Sequence, residues 1–141
     1  MGKKRIVQTG ENAEGGKVAV SSVSKKKADS GILFVDSTYN NTKIVLTDPK
    51  GNVLATSSAG AIGFKGAKKG TPFAAAKVGE ILGGKAAAMG MREVAVVVKG
   101  VGSGRESGVR TFISKGINLT SIKDVTPVPH GGVKPKKPRR V

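Results

Sequence analysis

Cysteine and tryptophan are absent from this 141-residue chain, and histidine and tyrosine each occur once. Without thiols there is neither a disulfide framework nor a thiolate zinc site, and one imidazole does not make a histidine metal centre. Acidic residues are scarce: nine Asp plus Glu stand against 25 Lys plus Arg, a formal charge of +16. Every uninterrupted apolar run is far shorter than the roughly 20 residues that cross a bilayer. The opening Met1-Gly2-Lys3-Lys4-Arg5 is not followed by the apolar stretch of a signal peptide. These absences predict a reducing, cytoplasmic setting with no membrane. Leu, Ile, Val and Phe are about a quarter of the residues, which suits one domain with a modest core.

The positive charge is unevenly placed. Residues 1–29 carry seven basic and three acidic groups, and with little periodicity they read as a flexible basic N-terminal extension. Residues 127–141 carry Lys134, Lys136, Lys137, Arg139 and Arg140, no acid, and four of the six prolines. Proline fixes φ and removes a donor, so this tail is predicted to run extended, close to polyproline II. Residues 30–126 hold thirteen basic and six acidic groups and form the predicted domain. Basic tails also serve solubility or localisation, yet no segment pairs its cations with the apolar face of an interfacial helix. The partner expected is therefore a nucleic acid. If each of the five tail cations neutralised one phosphate, the tail alone would give a log–log salt slope of about −3.5 to −4.5.

Two β-branched runs, residues 31–39 and 42–48, flank Asn40-Asn41 and read as a hairpin with Asn at positive φ. Asp48-Pro49-Lys50-Gly51-Asn52 is a second turn, leading into a third strand over Val53 to Ser57. Thr71-Pro72 supplies an N-cap and a first-turn proline for a helix in which Ala74, Val78, Ile81, Leu82 and Met89 recur near helical spacing. Gly79, Gly83 and Gly84 weaken that helix by roughly 1 kcal/mol each, so close approach to the sheet is their expected use. Val94 to Val98 reads as a strand covered on both faces. A shorter helix over Glu106 to Lys115, stopped by Gly116, and a last strand, Ile117 to Val125, complete the domain. The fold class is α/β: a single domain with a mixed β-sheet, strand-strand-strand-helix-strand-helix-strand, and basic tails at both ends.

Gly60 to Gly70 is glycine-rich, carries Lys65, Lys68 and Lys69, and runs into the Thr71-Pro72 helix start. Lys99 to Ser107 repeats the arrangement with Lys99 and Arg105 before the second helix. Bare backbone N–H groups, cations and a helix N-terminus together are equipment for holding phosphate; the plain alternative is a solvated connector. The Gly79 to Ala86 string mimics a nucleotide P-loop but lacks the Ser/Thr for magnesium and lies within the predicted helix. Asp124 lies where a dinucleotide fingerprint would want an acid, but the third glycine is missing and only one strand follows. No cofactor is expected. His130, between Pro129 and Gly131, is a contact to RNA or backbone more readily than a metal ligand. Of the aromatics, only Tyr39 and Phe64 fall in predicted loops, which favours phosphate and shape recognition over base reading.

Four strings are recognisable together: Tyr39-Asn40-Asn41-Thr42; Gly63-Phe64-Lys65-Gly66 through Gly70-Thr71-Pro72-Phe73-Ala74-Ala75; Lys99-Gly100-Val101-Gly102-Ser103-Gly104-Arg105-Glu106-Ser107; and Asp124-Val125-Thr126-Pro127-Val128-Pro129-His130-Gly131-Gly132 before the terminal Lys/Arg run. In this order they closely resemble the small-subunit ribosomal protein S-eleven family, over about residues 30–141, and the details resemble its bacterial members. The resemblance implies a ribonuclease-H-like domain with no enzymatic activity. It implies rRNA binding on the small-subunit platform, bridging of several rRNA helices, and a place by the messenger exit path and Shine-Dalgarno cleft. The implied partners are small-subunit rRNA, ribosomal proteins seven and eighteen and initiation factor three, with messenger RNA nearby and no homo-oligomer. Carried over residue by residue, the RNA-facing candidates are Asn40, Asn41, Lys43, Lys65, Lys68, Lys69, Lys99, Arg105, His130, Lys134, Lys136, Lys137, Arg139 and Arg140. Bacterial relatives usually have proline where this chain has Val101 and Ser103, so its loop is expected to be less stiff. They often have asparagine where it has Gly131.

One reading from another class is a metal-dependent nuclease using Asp36 and Asp124, which would cleave RNA with magnesium. The charge, concentrated away from those acids, favours the binding protein. It predicts separate phosphate-holding sites at residues 60–70, 99–105 and 130–140.

Overall fold

Strands and helices follow in the predicted order in the computed structural model, which describes residues 27–140. The strands are β1 (Ser30–Ser37), β2 (Thr42–Thr47), β3 (Val53–Ser58), β4 (Glu93–Lys99) and β5 (Asn118–Asp124). The helices are α1 (Pro72–Ala88) and α2 (Arg105–Ile113), and a short 3-10 turn, Gly66–Gly70, forms inside the glycine-rich loop. Most of the N-terminal extension predicted over residues 1–29 lies outside the described residues.

Local chemistry accounts for the turns. Asp48 closes the β2–β3 connection by accepting the Lys50 and Asn52 amides on Oδ1, at 3.0 and 2.8 Å, while Gly51 takes φ +98°. Asp48 Oδ2 accepts the Asn52 side-chain amide at 3.0 Å, and that bond foremost, with the backbone ones, holds the Asp48 carboxyl below its ordinary pKa. The β1–β2 hairpin forms as expected but not with its asparagines at positive φ, since no described residue other than glycine has one. Thr38 closes this wider loop instead: its N–H donates to the Asn41 carbonyl at 2.8 Å, and its hydroxyl accepts the Asn41 amide at 3.1 Å. At the head of α1, the Thr71 hydroxyl accepts the Ala74 amide at 3.3 Å, the predicted cap.

The sheet order is β3-β2-β1-β4-β5, and only β2 runs against the rest. Both helical crossovers, β3–α1–β4 and β4–α2–β5, travel the same way along the sheet. Right-handed crossovers of that kind place both helices on one face. Leu33, Val35, Ile44, Leu46, Val94, Val96 and Val98 point to that face and are buried with Val78, Leu82 and Phe112 in one core. Each such side chain contributes roughly 1.5–3 kcal/mol. The prediction that Val94 to Val98 has both faces covered is corrected: Ala95 and Val97 are half-buried on a helix-free face, beside Phe34 at 39% exposure.

The use of the α1 glycines is corrected too. A Cβ on Gly79 would overlap the Gly108 carbonyl oxygen of α2, and one on Gly83 would stand 3.1 Å from the Phe112 carbonyl oxygen and closer still to Lys115. These glycines let helix approach helix, not sheet. Gly84 faces open space.

Candidate nucleic-acid interface

Because β1, β3, β4 and β5 run parallel, the segments leaving all four emerge at one end of the sheet, the end at which β2 begins. These are residues 38–41, 59–71, 100–104 and 125 onward, the same stretches that hold the glycine-lysine motifs. The expectation of separate sites is corrected for the first two, since the loops touch. The Ser103 hydroxyl donates to the Gly70 carbonyl at 2.9 Å, and the Gly102 amide donates to the Ser37 carbonyl at 2.8 Å. Cβ atoms on Gly70, Gly100 or Gly102 would overlap the carbonyl oxygens of Tyr39, Ser37 and Thr38 respectively. The glycines therefore serve close packing of loop on loop. Two amides expected to face phosphate are engaged internally: that of Gly102, and that of Gly100, which donates to Thr126 Oγ1 at 3.1 Å. The loop predicted to be less stiff for want of prolines is thus held at several points.

Arg105 is an internal brace. Its Nη1 donates to the Gly100 carbonyl at 2.9 Å and its Nη2 to Asp124 Oδ2, tying the β4–α2 loop to the end of β5. Asp124 Oδ1 in turn accepts the Thr126 hydroxyl at 2.6 Å and the Thr126 amide at 2.9 Å. Those two bonds, followed by Arg105, lower the Asp124 pKa to about 2. Sequence reading missed Thr126, although an Asp followed two residues later by Thr is a recognisable local pattern.

The other candidates divide by exposure. Asn40 is exposed, whereas Asn41 is half-buried and its Oδ1 lies inside without a hydrogen-bond partner among the described residues. Lys65 and Lys68 are exposed on the 59–71 loop, and Lys69 lies partly against Gly60. Lys43 and Lys99 are exposed on the helix-free face, both in register with Asp36 between them. His130, Lys134, Lys136, Lys137, Arg139 and Arg140 are exposed along a tail with no helix or strand. The tail turns at Gly131 and Gly132, at φ +89° and +41°. Glycine takes positive φ without steric cost, which suits both positions of the bend.

Aromatic exposure departs from the prediction. Tyr39 is 79% exposed and Phe73, placed in the helix by its sequence, is 62% exposed, while Phe64 packs against the core and meets Phe73 edge-on at 5.9 Å. Lys77 Nζ lies 5.7 Å from the centre of the Phe73 ring.

Asp36 and Asp124, the acids of the nuclease reading, face opposite sides of the sheet. Asp36 lies between Lys43 and Lys99 on the helix-free face, and Asp124 pairs in register with Val98 on the helix face, with its oxygens on Arg105 and Thr126. A shared metal ion is out of their reach. No described helix is long and apolar enough to cross a membrane.

The family model for ribosomal protein S11 matches residues 31–140. The small ribosomal subunit protein uS11 of Endomicrobium trichonymphae is similar to this chain, with 50% identity over 129 residues that cover 90% of this chain and 98% of the relative.

Proposed function

The chain belongs to the ribosomal protein S11 family, and on that premise we propose that it binds small-subunit rRNA through the loop end of its sheet and its basic tail. It is a structural constituent of the small ribosomal subunit. The observation that carries the binding reading is topological: β3, β4 and β5 run parallel and deliver the 60–70 loop, the 99–105 loop and the cationic tail to one end of the domain. Residues 30–126 act as the rRNA-binding domain, and residues 127–141 as an extended arm that follows a groove between phosphates.

The contacts assigned to rRNA are Asn40, Lys43, Lys65, Lys68, Lys69, Lys99, His130 and the tail cations, with Asn41 and Arg105 shaping the surface from beneath. In the subunit the protein sits on the platform in the cytoplasm and bridges several rRNA helices beside the Shine-Dalgarno cleft. Ribosomal proteins seven and eighteen and initiation factor three are its neighbours. Bridging is supported by exposed cations at separate places, Lys65 and Lys68 on one loop and Lys43 and Lys99 on the helix-free face, with a tail that extends beyond them. The full chain is expected to co-sediment with small subunits at cellular salt and to bind purified small-subunit rRNA. Protein found only in the ribosome-free fraction would overturn the reading.

A further inference from the structure

Beside the loop end lies a cleft of about 490 Å³ whose walls include Asp36, Tyr39, Lys99, Val101, Thr126 and Pro127. That size falls within the roughly 300–1,000 Å³ of small-ligand sites. Tyr39 and Val101 are 79% and 55% exposed, large side chains left in water at the loop end of the domain. Lys99 is exposed on one wall, and Lys43 lies one strand further on, in register with Asp36.

The walls are fixed to one another. The Gly102 amide donates to Ser37, the Gly100 amide donates to Thr126, and Thr38 closes the turn that presents Tyr39. Gly70 packs so closely on the Tyr39 carbonyl that the backbone beneath the ring has little room to shift. A site preorganised in this way loses little entropy on binding.

A flat aromatic wall, a cation at the rim and an acceptor-only carboxylate match one chemical object: a nucleotide, with a ring to stack, a phosphate, and hydrogen-bond donors on its base edge. We propose that this cleft holds a single unstacked nucleotide of the RNA, its base against Tyr39, its phosphate toward Lys99, and a base amino group toward Asp36. The proposal rests on the loop end being the RNA-binding surface and adds base stacking to the phosphate and shape recognition read from the sequence.

The test is binding of the full chain to purified small-subunit rRNA across a salt series, with base and backbone footprinting. Tyr39→Ala is expected to weaken binding by roughly 5- to 150-fold, the range of one base–aromatic stack, with the salt slope unchanged. Tyr39→Phe, which keeps a ring, is expected to bind within about twofold of wild type. The wild-type footprint should include protection of one unpaired base that Tyr39→Ala exposes while backbone protections persist. Wild-type affinity in Tyr39→Ala would overturn the inference, as would equal losses in both variants. Naked-rRNA binding unaffected by Tyr39→Ala but subunit incorporation impaired would also overturn it, by assigning the cleft to a protein neighbour. Failure of the wild-type chain to bind rRNA would overturn the proposed function itself.

Discussion

Asp124 shows how one residue changes its meaning between sequence and structure. In the sequence it is an acid near a glycine-rich loop, open to being a ribose ligand or a metal ligand. In the structure it accepts from Thr126 and Arg105 and joins the end of β5, the β4–α2 loop and the start of the tail. Its pKa is lowered to about 2, so the group contributes stability that is complete above the unfolded carboxylate range near pH 4 and is lost as pH falls toward 2. Asp48 is shifted in the same direction, so the wild-type slope in that window has at least two sources. Asp124→Asn is therefore expected to be less stable than wild type at neutral pH, with the gap narrowing between about pH 4 and 2. Urea titrations of both proteins at several acidic pH values check this. A gap that does not change with pH would mean that the carboxylate charge has no role in the brace.

At the scale of the element, α1 places two glycines of opposite consequence five residues apart. Gly79 is buried where the backbones of α1 and α2 come together, and a methyl group there meets the Gly108 carbonyl, which belongs to backbone and cannot rotate away. Gly79→Ala is expected to cost about 1–3 kcal/mol, the usual range for overpacking, despite the better helix propensity of alanine. Gly84 is exposed with nothing near its missing side chain, so Gly84→Ala is expected to stabilise by about 0.5–1 kcal/mol. Urea unfolding of the two single variants reads the difference in sign. Two stabilising changes would show that the α1–α2 contact is not tight at Gly79.

At the scale of the whole molecule, topology gathers what the sequence spreads out. One antiparallel strand among five leaves four strand ends pointing the same way, and Lys65, Lys68, Lys69, Lys99 and the tail cations lie at or beyond them. The tail extends that end with five exposed cations and no acid. Deleting residues 134–141 is expected to weaken rRNA binding and to make the log–log salt slope shallower by about 3.5 to 4.5, with the unfolding transition of the domain unmoved. An unchanged slope would remove those residues from the phosphate contacts. The tail and Tyr39 variants thus separate two kinds of contact, since one acts on the slope and the other on the affinity at fixed slope.

Much of this was legible in the sequence, for a physical reason: turns, caps and periodicity are set by residues a few positions apart. The Asp48 turn, the Thr71-Pro72 helix start, the stop near Gly116 and the order of strands and helices are local matters. The charge, the absence of thiols and the four family strings need no fold at all. Tertiary structure decided what depends on residues far apart in the chain. Which face of β4 is covered follows from the direction of two crossovers, and the partner of Gly79 is on another helix. Whether Arg105 faces solvent or the Gly100 carbonyl depends on where β5 ends. The two glycine-lysine loops look independent in the sequence because more than two dozen residues separate them. They form one surface because parallel strands must all end on the same side.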